Sequence, residues 1–184
     1  MNQDLERIMI TEEQIAGRVR EVAVQLDKLY EGRRPVVVCI LKGSVMFFSD
    51  LIRHMETPLE LDFMAVSSYG AGTTSSGQVK ITKDLSESIE GRDIIVVEDI
   101  LDSGNTLSYL LQILQARHPA SMKLCTLLDK PDRRIKPVHV DYSGFSIPDE
   151  FVVGYGLDFA EKYRNLPYIG VLKPCVYEAE LPAD

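Results

Sequence analysis

Apolar positions along this chain follow two rhythms. After Thr11 they recur at helical spacing: Ile15, Val19, Val22, Leu26 and Leu29 share one face, and Thr11-Glu12-Glu13-Gln14 forms a capping box at its start. Gly32 and then Pro35 punctuate the end of that helix. Val36 to Ile40 and Ile94 to Val97 are instead unbroken apolar runs rich in β-branched residues, as strands buried on both faces require. A third such run, Met122 to Leu128, ends at Asp129-Lys130-Pro131. Helices are predicted over about Val45 to His54 and over Leu107 to Gln115. Leu59, Leu61 and Phe63 alternate with Glu60 and Asp62, the pattern of a half-exposed strand. Val138 to Tyr142, Phe151 to Val153 and Tyr168 to Leu172 are shorter strand candidates. Strands alternating with helices over the first two-thirds predict an α/β fold, a mainly parallel twisted sheet flanked by helices, with ligands at the carboxyl ends of the strands.

Ser67 to Gly77 interrupts the pattern. Its run of Ser, Gly, Thr, Ala and one Tyr cannot build a core, so a mobile surface loop is expected there. No internal repeat or linker divides the chain, and 184 residues with 45% hydrophobic content suit one domain. The net charge of −8 argues against a general nucleic-acid binder, which needs a basic stripe to displace counterions. It leaves room for a small anionic substrate in a pocket of opposite local field. Cys39, Cys125 and Cys175 are odd in number and widely spaced, so they are expected to be reduced and buried, with neither disulfides nor zinc. No apolar run reaches membrane-spanning length, and the first residues lack the order of a signal peptide. The expected location is the cytoplasm.

The chemistry concentrates between Ile94 and Leu107. Four β-branched residues lead straight into two adjacent carboxylates, Glu98 and Asp99, which would carry a desolvation cost at a buried strand end without a ligand to offset it. Asp102-Ser103-Gly104-Asn105-Thr106 follows at a helix N-terminus, where free N–H groups, hydroxyls and the dipole suit a phosphate. The bland alternative is a polar strand end and a helix capped by Asp102 or Ser103. Two other phosphate loops are excluded. Lys42-Gly43-Ser44 puts its lysine on the wrong side of the glycine for a Walker loop, and Gly70-Ala71-Gly72 lacks the third glycine and the helix of a dinucleotide fingerprint. A phosphorylated sugar held with a metal ion is the reading that remains.

Val96 to Thr106 resembles the phosphoribosyl-pyrophosphate signature of the type I phosphoribosyltransferases. Leu41-Lys42-Gly43-Ser44, Ser67-Ser68-Tyr69-Gly70, Leu127-Leu128-Asp129-Lys130-Pro131 and Ile147 to Asp158 narrow the resemblance to the bacterial 6-oxopurine salvage branch. It runs from about Val19 to about Leu172. It implies the family fold in a single domain over 1–184, with a lid loop at about 67–83 and a small hood made from the N-terminus and about 131–184.

The resemblance also implies the reaction and its participants. Purine N9 attacks C1 of phosphoribosyl pyrophosphate, giving IMP or GMP and pyrophosphate, with Mg2+ as cofactor. Asp102 through Thr106 would cradle the 5′-phosphate, with Ile100 in the same substrate-binding stretch. Glu98 and Asp99 would sit beneath the ribose and order the metal, and Asp158 would bind a second one. Asp102 would be the general base near purine N7. Leu41, Lys42 and Gly43 would bind pyrophosphate through main-chain amides, across a Leu–Lys peptide bond that can be cis in this family, and Arg164 would reach the same group. Lys130 would donate to O6, Phe151 would stack on the purine, and the Val152 main chain would read its edge. Ser68 and Tyr69 would close over the reaction centre. Neither nucleic acid nor membrane is implied as a partner; a homodimer or homotetramer is. The choice among hypoxanthine, guanine and xanthine stays open. A nucleotide-binding regulator and an adenine-, orotate- or pyrimidine-specific enzyme are the competing readings; Lys130 and the Phe151 segment argue against them.

Overall fold

The computed structural model describes residues 2–68 and 79–178. Its first strand, β1 (Leu5–Ile10), leads into α1 (Glu12–Leu29), and β2 (Val36–Leu41) into α2 (Val45–His54). Then come β3 (Glu60–Ser68), β4 (Val79–Lys83), β5 (Asp93–Leu101), α3 (Asn105–Gln115) and β6 (Ser121–Asp129). The last third holds β7 (Tyr142–Ser146), β8 (Val152–Val153), β9 (Ile169–Leu172) and the short α4 (Pro174–Tyr177).

Among the described residues the larger sheet runs β4-β3-β2-β5-β6-β7, parallel throughout except for β4 against β3. Its two faces explain the apolar runs. Val37, Cys39, Ile95 and Val97 pack beneath α1 and α2, whereas Val38, Ile40, Ile94 and Val96 join the α3 side with Leu107, Leu110 and Leu114. A second sheet, β1-β9-β8, is antiparallel and forms the hood around Leu5, Val153, Tyr163, Leu166 and Leu172.

The α1 capping box is present: Thr11 Oγ1 accepts from Gln14 N at 3.3 Å, and Gln14 Oε1 accepts from Thr11 N at 2.8 Å. Ile15, Val19, Val22 and Leu26 are buried as predicted, but Leu29 is exposed and Ala23 and Tyr30 complete the face instead.

Several expectations need correction. β1 was not foreseen, because Glu6 and Arg7 break the alternation on an irregular pairing with β9. In β3 the alternation fails at its centre: Asp62 is 7% exposed and Leu61 47%, while Glu60 is half-buried. The carboxylate of Asp62 accepts from Ser86 N at 2.8 Å, from its neighbour Phe63 N at 2.7 Å and from Ser86 Oγ at 3.2 Å, with Lys83 Nζ 3.7 Å away. Of the stretch 67–83 expected to form a loop, 67–68 belong to β3 and 79–83 to β4, while 69–78 lie outside the described residues. β7 starts at Tyr142 and not at Val138, because Asp141 ties off Leu124 N (2.9 Å) and Lys123 Nζ (2.7 Å) at the sheet edge before the ladder begins. Cys39 and Cys125 are buried, but Cys175, on the surface turn of α4, is exposed.

Candidate active site

The carboxyl ends of β2, β5 and β6 converge on one side of the sheet, where the hood meets them. β5 runs to Leu101, so Glu98 and Asp99 belong to its last turn of ladder and not to the loop beyond. Burial pushes the Glu98 carboxyl well above its ordinary value, and the neighbouring Asp99 adds to this. Asp99 is raised to about 6, chiefly by burial and also by Asp158, with main-chain donors including Ile100 N and the Arg164 guanidinium pulling the other way. Glu98 Oε2 is closed to solvent and has no hydrogen-bond partner among the described residues. Two adjacent acids in this condition store an electrostatic cost that a bound cation or hydroxyl donors would relieve.

The turn after β5 is held open for a ligand. α3 starts two residues earlier than predicted, at Asn105, and its N-cap is Gly104 in the left-handed region (φ 81°), with no side-chain cap. Among the described residues Asp102 makes no capping bond, whereas Ser103, one residue before the N-cap, accepts from the first helical N–H, Asn105 N, through its Oγ at 3.4 Å. The Ser103 carbonyl instead accepts from Ile135 N (2.9 Å) and Lys136 N (3.0 Å), which braces the turn from outside. A side chain at Gly104 would meet the Lys136 carbonyl at 2.6 Å. Glu98 to Leu107, Asn105 excepted, line a cleft of about 210 Å³.

At the end of β2 the Leu41–Lys42 peptide bond is cis. Gly43 then packs so tightly on Asp99 that a Cβ there would overlap the carboxylate, and a Cβ on Gly156 would overlap the Gly43 carbonyl. Turn 42–43, the β5 acids and the hood segment 156–164 therefore share one seam. Within it Arg164 binds Asp158 (NH2–Oδ1 2.8 Å) and donates to the Gly156 carbonyl (2.8 Å). Glu161 lies between two cations: Lys42 Nζ is 3.2 Å from it and Arg164 NH2 is 3.4 Å away. Glu98, Asp99 and Asp158 do not close into a ready-made cage; among the described residues no group of three or more His, Cys, Asp or Glu is disposed to hold a metal.

On the β6 side Lys130 is 6% exposed, and burial lowers its pKa. Its Nζ donates to the Glu150 carbonyl at 2.7 Å, the residue before Phe151. Phe151 is 40% exposed, which suits a ring waiting for a planar partner. Its other contacts are aromatic: Phe159 edge-on at 5.5 Å and Tyr177 stacked at 4.9 Å, 17° from parallel. Val152, buried in β8, pairs with Val171. Asp102 faces Arg133, whose Nε is 3.2 Å from Oδ1, and its carbonyl accepts from Arg134 Nε at 3.0 Å. Arg134 is itself paired closely with Asp129.

The structure thus gathers Leu41, Lys42, Gly43, Glu98 to Thr106, Lys130, Phe151, Val152, Asp158 and Arg164 around one mouth. Ser68 ends β3, and Tyr69, like the rest of 69–78, lies outside the described residues. Sequence reasoning missed Arg133, Arg134, Glu161 and Tyr177. The doubled arginine three residues after Lys130 was the one visible hint.

Comparison with known proteins agrees with this geometry. The phosphoribosyl transferase domain model matches residues 9–160. The chain is 55% identical to the hypoxanthine-guanine phosphoribosyltransferase of Bacillus subtilis, over 97% of this chain and 99% of that one. The hypoxanthine phosphoribosyltransferase structure from Staphylococcus aureus superposes with a TM-score of 0.93 at 54% identity, covering 96% of each chain. The chain also matches the bifunctional protein TilS/HprT of Listeria monocytogenes at 55% identity, where it spans 27% of that protein's length.

Proposed function

Because this chain belongs to the phosphoribosyl transferase family, we propose that it transfers the 5-phosphoribosyl group from phosphoribosyl pyrophosphate to N9 of hypoxanthine or guanine, forming IMP or GMP and pyrophosphate in purine salvage. The observation that carries the base assignment is Lys130. A buried ammonium beside an exposed aromatic ring is a donor aimed at an acceptor, which suits the O6 of a 6-oxopurine and repels the 6-amino group of adenine.

The residues divide the work between the two substrates. The start of α3, with glycine at its N-cap and the turn Asp102 to Thr106 before it, takes the 5′-phosphate through N–H and hydroxyl donors. Glu98 and Asp99 accept from the ribose hydroxyls. The amides of Leu41, Lys42 and Gly43, with Arg164, take the pyrophosphate. The purine stacks on Phe151 and meets the Val152 main chain at its edge. Asp102 accepts the proton that leaves the base as N9 bonds to C1 and the C1–O bond to pyrophosphate breaks. Displacement at an anomeric carbon develops positive charge on the sugar, which the carboxylates below it stabilise.

Mg2+ fits the acids present: two adjacent carboxylates, one with an oxygen that has no partner among the described residues, together with Asp158 opposite. A hard cation that draws most of its ligands from phosphates and water needs only one or two carboxylates from the protein. Glu98, Asp99 and Asp158 would hold it, directly or through water, and it would neutralise charge on the departing pyrophosphate. Ser68 and Tyr69, by their position in the sequence, are assigned to a lid that keeps water from the activated sugar. A cytoplasmic location is supported by the buried free thiols, and no helix among the described residues is long and apolar enough to cross a membrane. Self-association into a dimer or tetramer is proposed from the likeness to the family.

The test is pyrophosphate release with hypoxanthine, guanine, xanthine and adenine in turn, with Mg2+ and with chelator. Turnover on hypoxanthine or guanine that needs Mg2+ and is negligible on adenine is expected. Adenine turnover matching theirs would overturn the base assignment.

A further inference from the structure

Asp102 needs more than reach to act as a base. A carboxylate turns readily about its last torsion, so a group that must present one oxygen to a substrate nitrogen is normally fixed by a third residue. Asp102 Oδ1 is closed to solvent and accepts no hydrogen bond among the described residues. The cation facing it is Arg133, with Nε at 3.2 Å. On its far side Arg133 NH1 meets Asp149 Oδ1 at 3.4 Å, and that same oxygen is 3.9 Å from Lys130 Nζ.

We propose that Arg133 is the positioning residue of Asp102: its charge, 3.2 Å from Oδ1, draws that oxygen aside so that Oδ2 faces the purine, and through Asp149 it ties the base's proton acceptor to the lysine that reads O6. This rests on the assignment of Asp102 as proton acceptor made above. The two successive arginines divide the task. Arg134 fixes the Asp102 main chain through its carbonyl, and Arg133 fixes the carboxylate.

Exposure supports a positioning role over a stabilising one. The Arg133 and Asp102 side chains are 52% and 42% exposed, so the pair contributes little to folding and its value lies in geometry. The guanidinium has five N–H donors and no acceptor, so it cannot take the proton itself. The proton therefore passes from the purine nitrogen to a lone pair on Oδ2, and Arg133 keeps all of its own. The other charged groups around Asp102 are Lys130, whose ammonium it attracts, and Arg134 on its main chain, itself neutralised by Asp129. Removing Arg133 therefore takes away the cation that, among the described residues, is paired with Oδ1.

Arg133→Gln and Arg133→Lys, measured beside Asp102→Asn, test this. In Arg133→Gln, kcat with hypoxanthine should fall about 10- to 100-fold, with KM for phosphoribosyl pyrophosphate within about threefold of wild type. Arg133→Lys should restore part of the rate. Thermal melting should be nearly unchanged in both. Wild-type kcat in Arg133→Gln, with Asp102→Asn impaired, would overturn the positioning role alone; normal turnover in Asp102→Asn would overturn the assignment of the base itself. If the Gln variant does not fold, Arg133→Met replaces it: a fall in kcat at unchanged KM for phosphoribosyl pyrophosphate supports the role, and wild-type kcat counts against it.

Discussion

Replacing Lys130 with Met keeps the length and apolar body of the side chain and removes only the ammonium. In the free protein that ammonium is buried, spends one donor on the Glu150 carbonyl at 2.7 Å and lies 3.9 Å from Asp149 Oδ1, which leaves donors for the proposed contact to O6. A charge-assisted hydrogen bond to a substrate oxygen contributes ~1.5–3 kcal/mol, which corresponds to a loss of roughly 10- to 150-fold in kcat/KM for hypoxanthine and guanine. The loss should fall on the oxopurines, so the hypoxanthine-to-adenine ratio should drop by a similar factor. Stability should behave differently. Burial lowers the pKa of Lys130 in the folded protein below its unfolded value, so the charged form carries a folding cost at neutral pH that disappears only as pH rises above the unfolded value. Methionine removes that cost while leaving the Glu150 carbonyl short of a donor, and the two effects oppose each other. The melting temperature should therefore move by only a few degrees. Steady-state kinetics with each purine at saturating phosphoribosyl pyrophosphate, alongside thermal melts, make the check. An unchanged hypoxanthine-to-adenine ratio would refute the assignment of Lys130 to O6, and a large destabilisation would show that its main role is structural.

Other outcomes follow from the same geometry. Asp102→Asn should lower kcat by about 10²- to 10⁴-fold while phosphoribosyl pyrophosphate still binds, measured by rapid kinetics and by calorimetry with the sugar phosphate. Gly43→Ala puts a methyl where the Asp99 carboxylate now lies, so pyrophosphate binding should weaken and turnover fall by roughly 100-fold or more, with circular dichroism unchanged; wild-type turnover would show that the seam has slack. Burial raises the Asp62 carboxyl, but hydrogen bonds from Phe63 and Ser86 and the nearby charge of Lys83 outweigh it and hold the group below 3.8. Its contribution is complete above that value and is lost as pH falls through the folded value, so the stability gap between wild type and Asp62→Ala in urea melts should be about 1–3 kcal/mol at neutral pH and shrink in acid below 3.8.

What the sequence disclosed was whatever lies close together in it. Glu98 to Thr106 is a strand end, a turn and a helix start in unbroken order, and the capping box of α1 spans four residues, so local chemistry announces both. Arg133 acquires meaning only because the turn after β6 folds back onto the turn after β5, and Glu161 only because the hood drops it between Lys42 and Arg164. Asp62 misled for the same reason. Its partner Ser86 is 24 residues away, and alternation alone cannot reveal that a carboxylate has been met from across the sheet. The strand β1 hid because its neighbour is β9, at the other end of the described chain.

That last pairing also sets the order of assembly. Leu5 bonds with Leu172, so β1 leaves the ribosome long before its partner exists and must wait on the order of ten to thirty seconds at ordinary synthesis rates. The larger sheet, whose strands lie between them, can collapse meanwhile. Phe151, Asp158 and Arg164 lie between β7 and β9, so they are made after every strand of that sheet. The surface proposed to stack the purine and to reach pyrophosphate is thus the last part of the site to leave the ribosome, after the acids of β5 and the lysine that follows β6 are already in place.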